Sequence, residues 1–182
     1  MKSRLWLLLA PLAALGCQTA NGPTFQEGTA RSSFEGSWST VNNQRPAPQK
    51  DLEVVTLDTA FSAGAFVTPE IEAGLRVGFF DQDADTARLR AWDAALYGRY
   101  YLQSHGTLRP WGEGRLGYSG GRSQGVSDRT IFWGVGAGLT QFLTESTALE
   151  LSLAYEARTF DFGGGDTDVS STALSLAYAV FW

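Results

Sequence analysis

The stretch that decides the fold is LELSLAYEAR, residues 149–158. Leu149, Leu151, Leu153 and Tyr155 fall on one parity, and Glu150, Ser152, Ala154, Glu156 and Arg158 on the other. A period of two held over this length is a β-strand with one apolar and one polar face. The last ten residues, ALSLAYAVFW (173–182), repeat it. Leu174, Leu176, Tyr178, Val180 and Trp182 share one face, and Ala173, Ser175, Ala177, Ala179 and Phe181 share the other.

Six more segments carry the same period upstream. Residues 131–143 set Ile131, Trp133, Val135, Ala137 and Leu139 against Phe132, Gly134, Gly136, Gly138 and Thr140. Residues 108–118 place Arg109, Glu113 and Arg115 on a single face. Residues 92–102 set Trp92, Leu96, Tyr100 and Leu102 against Asp93, Tyr97, Arg99 and Tyr101. Residues 71–79 set Ile71, Ala73, Leu75, Val77 and Phe79 against Glu72, Gly74, Arg76 and Gly78. Residues 55–67 alternate more loosely, with Asp58 opposite Leu57 and Phe61, and residues 32–41 set Phe34 and Trp38 against Glu35. The pattern predicts an all-β fold over residues 31–182, with eight strands long enough to cross a bilayer at a tilt.

The connections alternate in length. Residues 42–52, 81–89, 119–129 and 161–170 are long, while 68–69, 103–107 and 144–145 are short. Short turns at one end and longer loops at the other are the asymmetry of an antiparallel up-and-down transmembrane barrel. An even strand count then puts both chain ends on the periplasmic side. In such a barrel the charges form an inward polar network: Glu35, Asp58, Glu72, Arg76, Asp93, Arg99, Arg109, Glu113, Arg115, Glu150, Glu156 and Arg158 all lie opposite the apolar face. Eight strands enclose a space that side chains fill, so neither an open pore nor a general porin role is expected. Trp92, Tyr100, Tyr118, Trp133, Tyr155, Tyr178 and Trp182 suit the two membrane interfaces. Alternation alone also fits a soluble or lipid-anchored lipocalin-like barrel in the periplasm, with the apolar face inward and a ligand inside.

The start of the chain reads as an address. Lys2 and Arg4 precede an apolar run, LWLLLAPLAAL (5–15), about half the length of a spanning helix. Residues 1–16 are therefore expected to be a secretory signal peptide, whose removal takes two positive charges from a chain of net charge −5. Cys17, the lone cysteine, follows Ala14-Leu15-Gly16 as in the lipobox of bacterial lipoproteins, which marks it for acylation. Residues 17–30 carry no period and read as a periplasmic linker.

Several segments together resemble the outer-membrane β-barrel domain family of small OmpA/OmpX-type barrels. They are AFVTP (65–69) with AGLRVG (73–78), YGRYY (97–101), LRPWGEG (108–114) and GVGAGL (134–139). The resemblance covers residues 57–182. It implies a Gram-negative cell envelope, residence in outer-membrane lipid, and recognition of Tyr178, Phe181 and Trp182 by the barrel-assembly machinery. It also allows lipopolysaccharide or an extracellular partner at the outer loops.

Other functions find little support. No basic run exists, so nucleic-acid binding is not expected. A lipid hydrolase or acyltransferase needs an activated serine and a histidine base, and the one histidine, His105, sits in a predicted short turn without an orienting acid. Asp81, Asp83 and Asp85, and likewise Asp161, Asp166 and Asp168, lie in predicted loops without the glycine and glutamate of a calcium loop. No metal, cofactor or catalysis is expected.

Overall fold

A computed structural model describes residues 24–43, 52–84, 87–103, 106–123, 126–161 and 166–182. The described residues form eight strands: β1 (Ala30–Asn43), β2 (Leu52–Phe66), β3 (Ile71–Ala84), β4 (Ala87–Tyr101), β5 (Leu108–Ser123), β6 (Val126–Phe142), β7 (Thr147–Asp161) and β8 (Asp166–Phe181). Each pairs antiparallel with its chain neighbours, and β8 pairs with β1 to close the barrel. Closure leaves no strand edge with unpaired backbone groups, which is what allows a sheet to sit in hydrocarbon.

The alternation resolves into two concentric surfaces. In cross-strand register, Ala63, Leu75, Leu96, Leu116 and Trp133 make one outward row. Leu96 and Ile131 are 66 % and 67 % exposed, while Glu72 and Arg31 are 0 % and 1 % exposed. The lipocalin-like alternative is overturned by this arrangement. A water-soluble barrel would bury its leucines and expose its charges, and here the leucines face outward and the charges inward.

Four expectations about boundaries change. Asp81, Asp83, Asp161, Asp166 and Asp168 lie in strands, not loops, and the connection expected over 119–129 is strand to Ser123 and again from Val126. The strands run to 14–17 residues because β-hairpins continue past the apolar band as ribbons. Beyond the band their backbone groups still pair, and residues of opposite charge occupy paired positions, Asp81 with Arg90 and Asp83 with Arg88. β1 opens at Ala30, so it includes Arg31. Phe25, within the expected linker, is buried inside the barrel because a ring there leaves water for other rings. Cys17, Asp85 and His105 lie outside the described residues.

Inward glycines make the lumen wide enough for its contents. A Cβ on Gly138 would strike the Trp111 ring and lie 2.6 Å from the Leu151 carbonyl; one on Gly117 would lie 2.5 Å from the Phe132 ring. Gly78 stands against the Asp93 carboxylate in the same way. In each case the large group belongs to the residue paired across the strands. Outward Gly98 has open space where a Cβ would go. Gly138→Ala is therefore expected to cost about 1–3 kcal/mol through overpacking. Gly98→Ala should shift stability by less than about 1 kcal/mol. Urea midpoints of the refolded protein in detergent micelles, read by tryptophan fluorescence, check the contrast.

Candidate functional site

The lumen is the one place where the described residues gather chemistry. Its side chains stack in three layers from the end that carries residues 24–29, Trp182 and the short turns toward the ribbons.

The first layer is aromatic. Phe66, Tyr101, Phe142 and Phe181 come from the ends of β2, β4, β6 and β8, and Phe25 packs among them. Arg109 places its guanidinium carbon 4.5 Å from the Phe25 ring centroid and 5.8 Å from that of Phe142. Arg109 thus belongs to this layer.

The second layer crosses the lumen. Arg31 on β1 donates to Glu72 on β3 from Nη1 at 3.2 Å and to both oxygens of Glu150 on β7. Arg99 on β4 donates Nη1 to Glu150 Oε2 at 3.0 Å and Nη2 to Glu113 Oε2 at 2.8 Å. Glu72, Arg99 and Glu113 are consecutive partners across β3, β4 and β5. Hydroxyls occupy the remaining lone pairs. Tyr97 donates to Glu72 Oε1, Tyr101 donates to Glu72 Oε2 at 3.0 Å, and Thr140 donates to Glu150 Oε1 at 3.2 Å. Arg99 also donates to the Tyr101 oxygen at 3.2 Å and lies 3.7 Å from the Trp111 ring centroid. Ser33 and Ser62, 2.6 Å apart, complete the shell around Arg31.

The third layer faces the ribbons. Arg76 bonds Asp93 at 2.8 Å and Glu35 at 3.5 Å. Arg115 lies 3.6 Å from Glu113 and 3.1 Å from Glu156, which also takes Arg158 at 2.8 Å. Asp58 accepts from Ser39 at 3.1 Å. Arg158 lies 5.0 Å from the Phe132 ring centroid. Of the C-terminal residues, Tyr178 and Trp182 are exposed on the outside, and Phe181 is buried within.

Ion pairs thus join Glu72, Glu150, Arg99, Glu113, Arg115, Glu156 and Arg158 into one chain through Arg31, and Arg76 joins Asp93 and Glu35 in a second cluster; Asp58 lies toward the ribbons and Arg109 in the aromatic layer. Sequence reasoning missed Arg31, Tyr97 and Tyr101. Arg31 shares the parity of Glu35, so a strand begun two residues earlier would have placed it on the polar face. Tyr97 and Tyr101 sat on the polar face beside Asp93 and Arg99, but the inward network was read from charged groups alone, and a phenol carries no charge.

Chemically this is a set of opposite charges that pair with one another, with Asp58 Oδ1 and the Nε groups of Arg115 and Arg158 left without a hydrogen bond among the described residues. Among the described residues, no three His, Cys, Asp or Glu side chains converge as metal ligands would. Removing one partner of a buried pair strands its counter-charge, at about 3–5 kcal/mol. Arg99→Met should therefore lower unfolding stability by that order, whereas Arg158→Met, at the wetter end, should cost about 1 kcal/mol or less. Urea titrations in lipid vesicles distinguish the two. Equal losses would show that the transluminal position confers nothing special.

No family model matches the chain, and no curated protein matches it in sequence. Solved structures do match in fold. Neisserial surface protein A is similar with a TM-score of 0.71 at 14% identity, over 85% of this chain and 99% of that one. Ail, the attachment invasion locus protein of Yersinia pestis, solved with the heparin analogue sucrose octasulfate, gives 0.56 at 13% identity, over 85% and 99%. Outer membrane protein AlkL, solved in DMPC lipid bilayers, gives 0.54 at 16% identity, over 91% and 95%. The fold is that of small outer-membrane barrels, and the apolar exterior places the chain in the lipid of the bacterial outer membrane.

Proposed function

We propose that this barrel is a structural and contact protein of the outer membrane, with a lumen that carries load and exposed ribbons that meet partners. The observation behind this reading is the transluminal pairing of Arg31 and Arg99 with Glu150, which fills the middle of the barrel. A conduit would need those side chains to part, at the cost of uncompensated charge. Catalysis is not part of the proposal. In a planar bilayer the purified protein should give no steady conductance. A stable open channel would overturn the reading.

The ribbons beyond the apolar band are the contact surface in this proposal, with lipopolysaccharide or an extracellular molecule as partner. Ail, one of the similar folds, was solved in complex with the heparin analogue sucrose octasulfate. Cutting all four ribbons back to tight turns at the band should keep the heat-shifting barrel on gels and abolish binding to vesicles containing lipopolysaccharide. Undiminished binding would refute the assignment to the ribbons. Two further parts belong to the same proposal: Tyr178, Phe181 and Trp182 present the last strand to the barrel-assembly machinery, and Cys17 is acylated after removal of residues 1–16, giving a second anchor. The mass of the mature N-terminus decides the latter.

A further inference from the structure

Phe25 is the one aromatic ring of the first layer that does not belong to a barrel strand. A short turn puts it there. Gln26 and Thr29 close the turn, with the Thr29 amide donating to the Gln26 carbonyl at 3.0 Å and the Gln26 amide donating to Thr29 Oγ1 at 3.2 Å. Gly28 takes φ of +88°, a left-handed conformation that strains residues with a side chain. The turn is then pinned at both sides of β1. Gly28 donates to the Phe66 carbonyl at 2.8 Å and Thr29 accepts from the Phe66 amide at 2.9 Å, on β2. Ala30 and Trp182 exchange amide–carbonyl bonds of 2.8 and 3.0 Å, on the β8 side. The chain reverses, and Phe25 drops into the barrel mouth.

Inside, the ring finds partners on every side. It stacks on Phe66 with centroids 4.0 Å apart and on Phe181 at 5.2 Å, and meets Tyr101 at 5.4 Å and Phe142 at 5.6 Å. These partners come from four different strands around the circumference, so a single side chain closes the opening they surround. Directly above lie Tyr101 and Arg99, the first members of the ion-paired layer. Ion pairs strengthen as water is excluded and weaken when it enters.

We infer that residues 25–29 form a latch, with Phe25 as the stopper that seals the turn end of the lumen and keeps periplasmic water from the Arg31–Glu72–Glu150–Arg99 cluster. The seal is distinct from the ion pairs: it depends on a segment outside the strands, held by the turn at Gly28 and by the seam between β1 and β8. The same contacts tie the segment before β1 to Phe181 on the last strand, so the latch fastens the barrel where its two ends meet.

Substituted-cysteine accessibility tests this directly. Ser33 is buried beside Arg31 and is close in size to cysteine. Ser33→Cys in the full chain is treated in detergent micelles with a charged methanethiosulfonate reagent, and the parent chain with Cys17 alone supplies the background. Adding Phe25→Ala should raise the rate at position 33 about tenfold or more, because the reagent no longer waits for the mouth to open. Heat-shifted mobility on gels confirms that the barrel remains folded. An unchanged rate in a folded Phe25→Ala barrel overturns the latch. If Phe25→Ala does not fold, Phe25→Leu is read the same way. It keeps an apolar side chain without the ring, so it should give a smaller increase, and no increase overturns the proposal.

Discussion

Glu150 holds this barrel together from within. Its two oxygens take Arg31 from β1 and Arg99 from β4, while Glu150 itself stands on β7. Strand pairing links each strand only to its neighbours. The Glu150 carboxylate links walls that face each other across the lumen. A buried carboxylate with two guanidiniums and a threonine hydroxyl around it has its lone pairs occupied, the condition under which a buried charge is tolerated. The closed sheet supplies the low-dielectric frame, and the ion pairs keep the frame from being hollow.

The rest of the interior follows from fitting that cluster into a narrow tube. Long side chains converge at the axis, so the wall beside them thins to glycine. Gly78 stands against Asp93, Gly138 against Trp111, and Gly134 against Arg115 and Glu156. The aromatic layer at the turn end and the paired arginines toward the ribbons then close the column from both directions. The outside obeys the opposite demand. Leu75, Leu96 and Leu116 form a lipid-facing row, with Trp92 near Tyr118 and Trp133 near Tyr155 as tilted ring pairs. Amphipathic rings of this kind favour the level of the headgroups.

The strands were legible in the sequence wherever one face is uniformly apolar, as in residues 149–158, because lipid demands an apolar group at every second position. They became illegible past the bilayer. There Asp81, Asp83 and Asp161 read as loop although their backbones pair. Arg31 was lost for a related reason: it stands at the very start of β1, where the alternation has too few residues to register. Phe25 left no periodic signal at all, since it lies in a turn and its partners come from the ends of strands far along the chain.

By itself, then, the sequence determined which residues share a face, how many strands there are and which connections are tight. Those are local properties, set by a period of two and by the residues that interrupt it. The tertiary structure decided which face is inside, because inverting a barrel leaves the alternation unchanged. It also decided who pairs with whom. Arg31 and Glu150 are 119 residues apart and meet only because closure of β8 on β1 brings their strands around one axis. No local pattern encodes a contact that exists only once the ring is shut.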